Sequence, residues 1–121
     1  MFVSFCKEAN LKVWSLVNRE CKMFHSFKIN KPIDFMHVFM SNEHNFHKDR
    51  FLIAFTSGET ELFEFDAEDK SLYYLETDKN REHDTRITGC DYNKQIGLLV
   101  TSDGNGMIRL WNRDKKFLRE I

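Results

Sequence analysis

Short apolar runs alternate with polar turns along the whole chain, and no stretch shows the spacing of about 3.6 residues that is typical of an amphipathic helix. The pattern is clearest where residues 97–102 and 107–112 flank a turn rich in glycine. Two apolar runs in this arrangement indicate antiparallel strands joined by a hairpin. Applied to the whole sequence, the pattern predicts strands at residues 2–6, 11–16, 21–27, 33–40, 51–56, 60–66, 71–76, 86–92, 97–102, 107–112 and 117–121.

The hairpin pattern occurs three times, and each copy ends on a large aromatic residue. These residues are Trp14, Phe65 and Trp111, and they lie roughly 50 residues apart, the spacing of a repeat that forms one supersecondary unit. Two polar segments separate the predicted strands, a run at 41–50 that reads as a long loop and a charged run at 77–85 that reads as a solvated connection. The chain is therefore predicted to be an array of β-sheet repeats.

The segments Leu11-Lys-Val-Trp14-Ser and Ile108-Arg-Leu-Trp111-Asn resemble WD-repeat signatures, and Glu82-His83 stands where that family usually has Gly-His. The resemblance implies an all-β fold of four-stranded antiparallel blades forming part of a β-propeller. It divides the chain into a partial blade with its last three strands (1–28), a degenerate WD blade (29–78) and a WD blade (79–121). A closed propeller needs at least about four blades, so the chain is predicted to be a propeller segment that is completed by other blades or by another chain.

The same resemblance implies a buried network of hydrogen bonds in the blades that carry the tryptophan. In the last blade it joins the ring N–H of Trp111, the hydroxyl of Thr101, His83 and a turn residue, Asn105, at a position where the family prefers Asp. An indole N–H that is buried needs an acceptor, and a hydroxyl can accept while donating onward. In the first blade the same spacing pairs Trp14 with Ser4, with Glu8 at the turn; in the middle blade Phe65, Phe55 and Glu59 take the corresponding places.

Composition narrows the function classes. The chain has 121 residues, 18 basic and 19 acidic, and a net charge of −1, so it carries no excess of positive charge for nucleic acid or an anionic membrane. Its three cysteines form no CxxC pair, no Asn-x-Ser/Thr site occurs, and the longest apolar run, 51–55, is too short to cross a membrane. We expect a soluble protein in the reducing cytoplasm, without a leader, bound to other proteins rather than to nucleic acid or membrane.

Few residues suggest chemistry. His44 and His47 could form half of a zinc site in the 41–50 loop, but nothing nearby in the sequence supplies the other ligands. The turn that begins at Asp103 lacks the ligand spacing of a calcium loop. Cys90 or Ser102 with His83 could be read as a nucleophile and base, yet a strand position explains Ser102 and the blade network explains His83. The sequence therefore predicts no enzyme, no metal and no cofactor.

Two function hypotheses follow from these observations. The first is a noncatalytic scaffold for protein–protein interaction, with Asp84, Arg86 and Asn105 as candidate contacts in loops. The second is a metal-binding or hydrolytic propeller that uses the His44/His47 loop. The C-terminal run 111–121 is similar to blade ends in large WD-repeat proteins of cilia and flagella, which adds the cilium or axoneme to the expected locations. The partner itself is not specified by the sequence.

Overall fold

The chain forms antiparallel β-sheets, as a computed structural model describes for residues 2–5, 10–17, 19–29, 33–39, 48–66 and 68–121. Eleven strands lie in these ranges, and the helical structure found there is the single 3-10 turn Lys79–Arg81. No helix in the described ranges is long and apolar enough to span a membrane. The chain divides into two compact units, Met1–Ile33 and Asp34–Ile121. The prediction of an all-β fold is confirmed.

The first unit is a three-stranded sheet in the order β1-β2-β3. Its strands are β1 Phe2–Phe5, β2 Asn10–Val17 and β3 Glu20–Lys28. Leu11 and Val13 are fully buried whereas Lys12 between them is exposed, because successive side chains of a strand point to opposite faces of the sheet. The alternation that predicted β2 therefore also buries one face of this sheet.

Two four-stranded sheets occupy the rest of the chain, and each follows the chain order from one edge to the other. The strands of the second sheet are β4 Ile33–Phe39, β5 Lys48–Phe55, β6 Thr60–Asp66 and β7 Ser71–Leu75, and those of the third are β8 Ile87–Asn93, β9 Leu98–Asp103, β10 Ile108–Trp111 and β11 Phe117–Glu120. The β4 strand starts at the boundary between the two units.

The β5 strand begins three residues before the predicted start, inside the polar run that the sequence assigns to a loop. Asp49 pairs with Phe65 and Arg50 with Glu64 in the β5–β6 ladder. The Arg50 side chain also contacts Glu64, at 3.3 Å, and Asp114, at 2.6 Å. These ion pairs hold a polar segment in the ladder, so polarity alone misplaced the start of the strand.

The hairpins β5–β6 and β9–β10 have turns of the same length. Phe55 N donates to Glu59 O in the first, at 2.9 Å, and Asp103 N donates to Met107 O in the second, at 3.1 Å. Positions in the two hairpins can therefore be matched by counting from these closing bonds. Phe55 then corresponds to Asp103, and not to Thr101 as the sequence comparison assumed.

The same count changes which aromatic residue of the middle repeat corresponds to Trp111. Trp111 corresponds to Phe63, two residues before Phe65, and Thr101 corresponds to Ile53. The indole N–H and its hydroxyl partner are thus still replaced together by apolar side chains, which avoids an orphaned buried polar group. The error arose because a stretch with Phe at two alternate positions allows two alignments of the repeat.

The core of the second unit lies between its two sheets. Leu52 and Leu62 from the second sheet and Leu99 and Trp111 from the third form one cluster of buried side chains. Trp111 is fully buried and its ring meets Phe117 edge-on at 5.7 Å between centroids. This cluster fixes the third sheet against the second, and the polar side chains described next lie along its edge.

Candidate functional site

A chain of buried hydrogen bonds links β9, β10 and the segment before β8. Trp111 Nε1 donates to Thr101 Oγ1 at 2.9 Å, and the same oxygen lies 2.7 Å from Nε2 of His83. On the other side of the ring, His83 Nδ1 lies 2.7 Å from Asp103 Oδ2. All four residues are buried. The network ties the loop that carries His83 to the two central strands of the third sheet.

The direction of the bonds follows from what each group can donate. The indole N–H only donates, so Thr101 Oγ1 accepts from Trp111 and turns its own proton to Nε2 of His83. The histidine then carries its proton on Nδ1 and donates it to the Asp103 carboxylate. Asp, His and a hydroxyl also form the triad of serine hydrolases, but Thr101 is only 1% exposed and already accepts from Trp111. The arrangement is suited to holding structure in place.

The acceptor at the end of the network is Asp103, and not the predicted Asn105. Asp103 Oδ1 accepts the backbone N–H groups of Asn105, at 2.9 Å, and Met107, at 3.1 Å. Burial alone would raise the pKa of Asp103, but the hydrogen bonds from His83 and from these two amides outweigh it and lower that pKa. Asn105 is exposed at the tip of the turn. Its side chain therefore points away from the place that the sequence comparison gave it.

A second buried cluster centres on Glu82, the residue before His83. The carboxylate accepts from the backbone N–H of Thr60, at 3.2 Å, and from its hydroxyl, at 3.0 Å. It also meets the ammonium of Lys115 at 2.5 Å. Lys115 Nζ is fully buried, 4.3 Å from the centre of the Trp111 ring. Glu82 thus connects the second sheet, through Thr60, to the third sheet, through Lys115.

Burial lowers the pKa of Lys115 because the charged ammonium loses its hydration, and the attraction of Glu82 partly opposes this shift. Two neighbouring contacts support the same junction. Arg109 donates from one guanidinium nitrogen to the backbone oxygens of Arg81 and Glu82, each at 2.6 Å. Asp78 accepts from Phe117 N at 2.7 Å. The charged run at 77–85, expected to be a solvated connection, is therefore anchored at several points.

Three loop segments meet at one edge of the two sheets, and we call them together the loop face: Ser57–Glu59, Glu82–Arg86 and Asp103–Met107. Gly104 N donates to Arg86 O at 3.2 Å. Gly58 has a φ of +93°, and a Cβ on it would lie 2.3 Å from Thr85 O. Only glycine fits at this position, since a side chain would meet both the strained backbone angle and the neighbouring loop. The three segments are thus in direct contact.

The candidate contact residues lie on the loop face. Asp84, Arg86 and Asn105 are all exposed. Arg86 forms a bidentate ion pair with Asp34 at the start of β4, with Nε 2.5 Å from Oδ2. This hydrogen-bonded pairing lowers the pKa of Asp34 and raises that of Arg86. Arg86 is held in one orientation while most of its side chain stays exposed, which leaves it available to a ligand.

Comparison with known proteins bears on the fold. No family model matches the sequence, and no curated protein matches it. Among solved structures, the crystal structure of Saccharomyces cerevisiae Sqt1, a WD-repeat protein, superposes with a TM-score of 0.74 at 17% identity, covering 98% of this chain. The chain therefore has the fold of part of a WD-like β-propeller. The chain spans 32% of the Sqt1 chain, so it corresponds to about a third of that structure.

Each sheet is accordingly a blade, and the three blades differ in their networks. In the first blade Trp14 Nε1 donates to Ser4 Oγ at 2.9 Å, whereas the turn residue Glu8 lies outside the described residues. In the middle blade Ile53 and Phe63 replace the hydroxyl and the indole. The full set of Trp, hydroxyl, His and carboxylate therefore occurs in the last blade, within the part of the chain that the structure describes.

The residues considered for chemistry fall in different places. His44 and His47 lie outside the described residues, and among the described ones no group of three His, Cys, Asp or Glu side chains is arranged to hold a metal. Ser102 Oγ lies 3.0 Å from Thr88 Oγ1, and the side chain of Thr101 is on the other face of β9. Burial raises the pKa of Cys90 to about 12, so its thiol stays protonated at neutral pH.

Proposed function

We propose that this chain is part of a noncatalytic scaffold for protein–protein interaction in a larger assembly, and that it binds its partner through the loop face. The observation that carries the proposal is that three exposed loop segments are held against one another by buried networks beneath them. Gly104 contacts Arg86, His83 fixes the middle segment to β9, and Glu82 fixes it to β6. Loops on a rigid support are where binding residues are most often found.

Rigidity of this kind favours binding. A partner that contacts a preformed surface does not have to order flexible loops, and the entropy cost of association is lower. The exposed side chains on the loop face include both signs of charge, with Asp84 and Glu59 acidic and Arg86 basic. Such a surface favours a partner with a matching charge pattern, because opposite charges that align across an interface add specificity.

The superposition on Sqt1 supports the proposal that this chain belongs to a larger assembly. This chain superposes on 32% of that propeller structure, and the fold is closed by a ring of blades. We propose that further blades, from the same polypeptide or from another chain, complete the propeller. The ciliary or axonemal location rests on the C-terminal resemblance alone and stays a prediction, as does the metal-binding alternative at His44 and His47.

The direct test is a triple substitution on the loop face, Asp84→Ala with Arg86→Ala and Asn105→Ala. The tagged chain is cross-linked in cells, and the proteins recovered with it are identified by mass spectrometry. The amount of partner recovered should fall at least about tenfold, because a central charged or polar contact at an interface is worth about 1.4 kcal/mol or more. All three side chains are exposed, but Arg86→Ala also removes the ion pair with Asp34, so the fold of the variant has to be measured.

A matched control carries substitutions in the β8–β9 turn, Lys94→Ala with Gln95→Ala, which are also exposed. It should recover the same partners as the unsubstituted chain. Equal loss of partners from both variants, or no loss from the triple variant, would place the binding surface elsewhere. Circular dichroism of both variants shows whether a loss comes from unfolding.

A further inference from the structure

The last strand of the middle blade has an unprotected edge. Among the described residues, the last strand of each sheet in chain order, β3, β7 or β11, lies at a sheet edge and pairs with one neighbouring strand. Charged residues occur within β3 and within β11, but β7, which reads Ser-Leu-Tyr-Tyr-Leu, has none. Proteins usually protect such edges with charges, because a free row of backbone N–H and C=O groups pairs readily with another strand. The β7 edge lacks this protection.

Two tyrosines make the β7 edge a surface that can bind. Tyr74 is 63% exposed and Tyr73 is 44% exposed. The Tyr74 ring packs on Phe63 with 4.6 Å between centroids, and the Tyr73 hydroxyl donates to Asp69 Oδ2 at 3.1 Å. Both rings are therefore held in place while much of their surface remains open to solvent. Large aromatic side chains that are already ordered contribute strongly to protein interfaces.

The charges that flank β7 are arranged symmetrically about Tyr73. Lys70 precedes it by three residues and Glu76 follows it by three. If two copies of β7 pair in antiparallel orientation with Tyr73 opposite Tyr73, the Lys70 in the turn just before one strand comes close to the Glu76 just after the other strand. In that register Leu72 also lies opposite Tyr74, and both kinds of cross-strand pair are stabilising. The sequence around β7 is thus complementary to itself.

We propose that two copies of this chain associate through β7, in antiparallel orientation centred on Tyr73, to form one continuous eight-stranded sheet across a two-fold axis. A two-fold interface uses the same surface on both copies, which the symmetric placement of Lys70 and Glu76 provides. A strand of another protein would not need this symmetry, and so the second copy is the occupant that the charges favour. The paired strands are short, so the dimer should be weak and depend on concentration.

Charge reversal tests the register directly, with the oligomeric state measured by sedimentation velocity over a dilution series. Lys70→Glu alone brings a Glu close to Glu76 at each end of the paired strands, and Glu76→Lys alone brings a Lys close to Lys70. We expect each single variant to be monomeric at concentrations where the unsubstituted chain is dimeric. The double variant restores opposite charges in every pair and should dimerise again, with affinity within about tenfold of the original.

The control is Arg119→Glu on β11, an exposed charge on the last strand of another blade, which should leave the dimer intact. The proposal is overturned if the unsubstituted chain is a monomer at every concentration, or if a strand from another protein occupies β7 in place of the second copy. It is also overturned if the double variant fails to dimerise while circular dichroism shows that it is folded. Because β7 is separate from the loop face, the loop-face triple variant should still dimerise, so the two proposals can fail independently.

Discussion

Replacing Trp111 by alanine should lower the free energy of unfolding by about 3 to 5 kcal/mol, the usual cost of truncating a buried tryptophan. The ring is fully buried among Leu52, Leu62 and Leu99, and Lys115 lies over its face. The substitution removes these contacts and leaves a cavity at the junction of two blades. It also leaves Thr101 without the N–H donor that it accepts from. Urea denaturation followed by circular dichroism measures the change.

Two further substitutions separate the loss of apolar contact from the loss of the hydrogen bond to Thr101. Trp111→Phe keeps most of the apolar contact and loses the N–H, so it should cost less than the alanine substitution. Ile96→Ala, in the β8–β9 turn at a position that is 70% exposed, should cost less still, because little buried apolar area is lost. A cost below about 1 kcal/mol for Trp111→Ala, within the range of ordinary substitutions, would contradict the burial of this residue between blades.

Replacing Glu82 by alanine should also cost about 3 to 5 kcal/mol at neutral pH, because it leaves the buried ammonium of Lys115 without its counter-charge. The Lys115 side chain is fully buried and Glu82 is the carboxylate in contact with it. The same change removes the acceptor for the N–H and hydroxyl of Thr60. Thermal and urea denaturation at several pH values measure the effect.

The free energy of unfolding of Glu82→Ala should change with pH in a defined direction. Burial already lowers the pKa of Lys115 in the folded chain, with Glu82 opposing the shift, and loss of Glu82 lowers that pKa further. Between this lowered pKa and that of an unfolded lysine, the unfolded state binds more protons, so the stability of Glu82→Ala should rise as the pH increases. The double variant Glu82→Gln with Lys115→Met should recover much of the loss. A double variant no more stable than Glu82→Ala would contradict the pairing.

Strands such as β2 could be predicted from the sequence because one face of the sheet is buried there and the other is exposed, whereas β5 was indicated by an unbroken apolar run, Phe51–Phe55, that is buried throughout. Leu11, Lys12 and Val13 show the alternation directly, and spacing between aromatic residues revealed the repeat. Strand limits were less certain where an ion pair holds a polar residue in the ladder, as at Arg50. Apolar residues at alternate positions also allowed two alignments of the middle repeat, and only the register of the hairpin distinguishes Phe63 from Phe65.

The buried networks could be predicted only in part. Spacing to a tryptophan indicated Thr101, and a family position indicated His83. The acceptor in the turn was assigned to Asn105, whereas the structure has Asp103 there. Asp103 shares the face of Thr101, two residues farther along β9, so the period of a strand could have identified it. No sequence signal marks Lys115, since its burial depends on a positive φ in a turn and on Glu82 in a different loop.

The central claim is that buried hydrogen bonds beneath the loop face hold its segments against one another, and amide hydrogen exchange of the variant Asp103→Asn tests it most directly for the contact between Asp103–Met107 and Glu82–Arg86. The exposed variant Asn105→Ala serves as the control. Loss of the carboxylate should speed exchange in both Asp103–Met107 and Glu82–Arg86 while the turn at 94–97 is unchanged, because local opening follows the contacts that are lost. Faster exchange confined to Asp103–Met107, with Glu82–Arg86 as slow as in the control, would show that the loops are held separately.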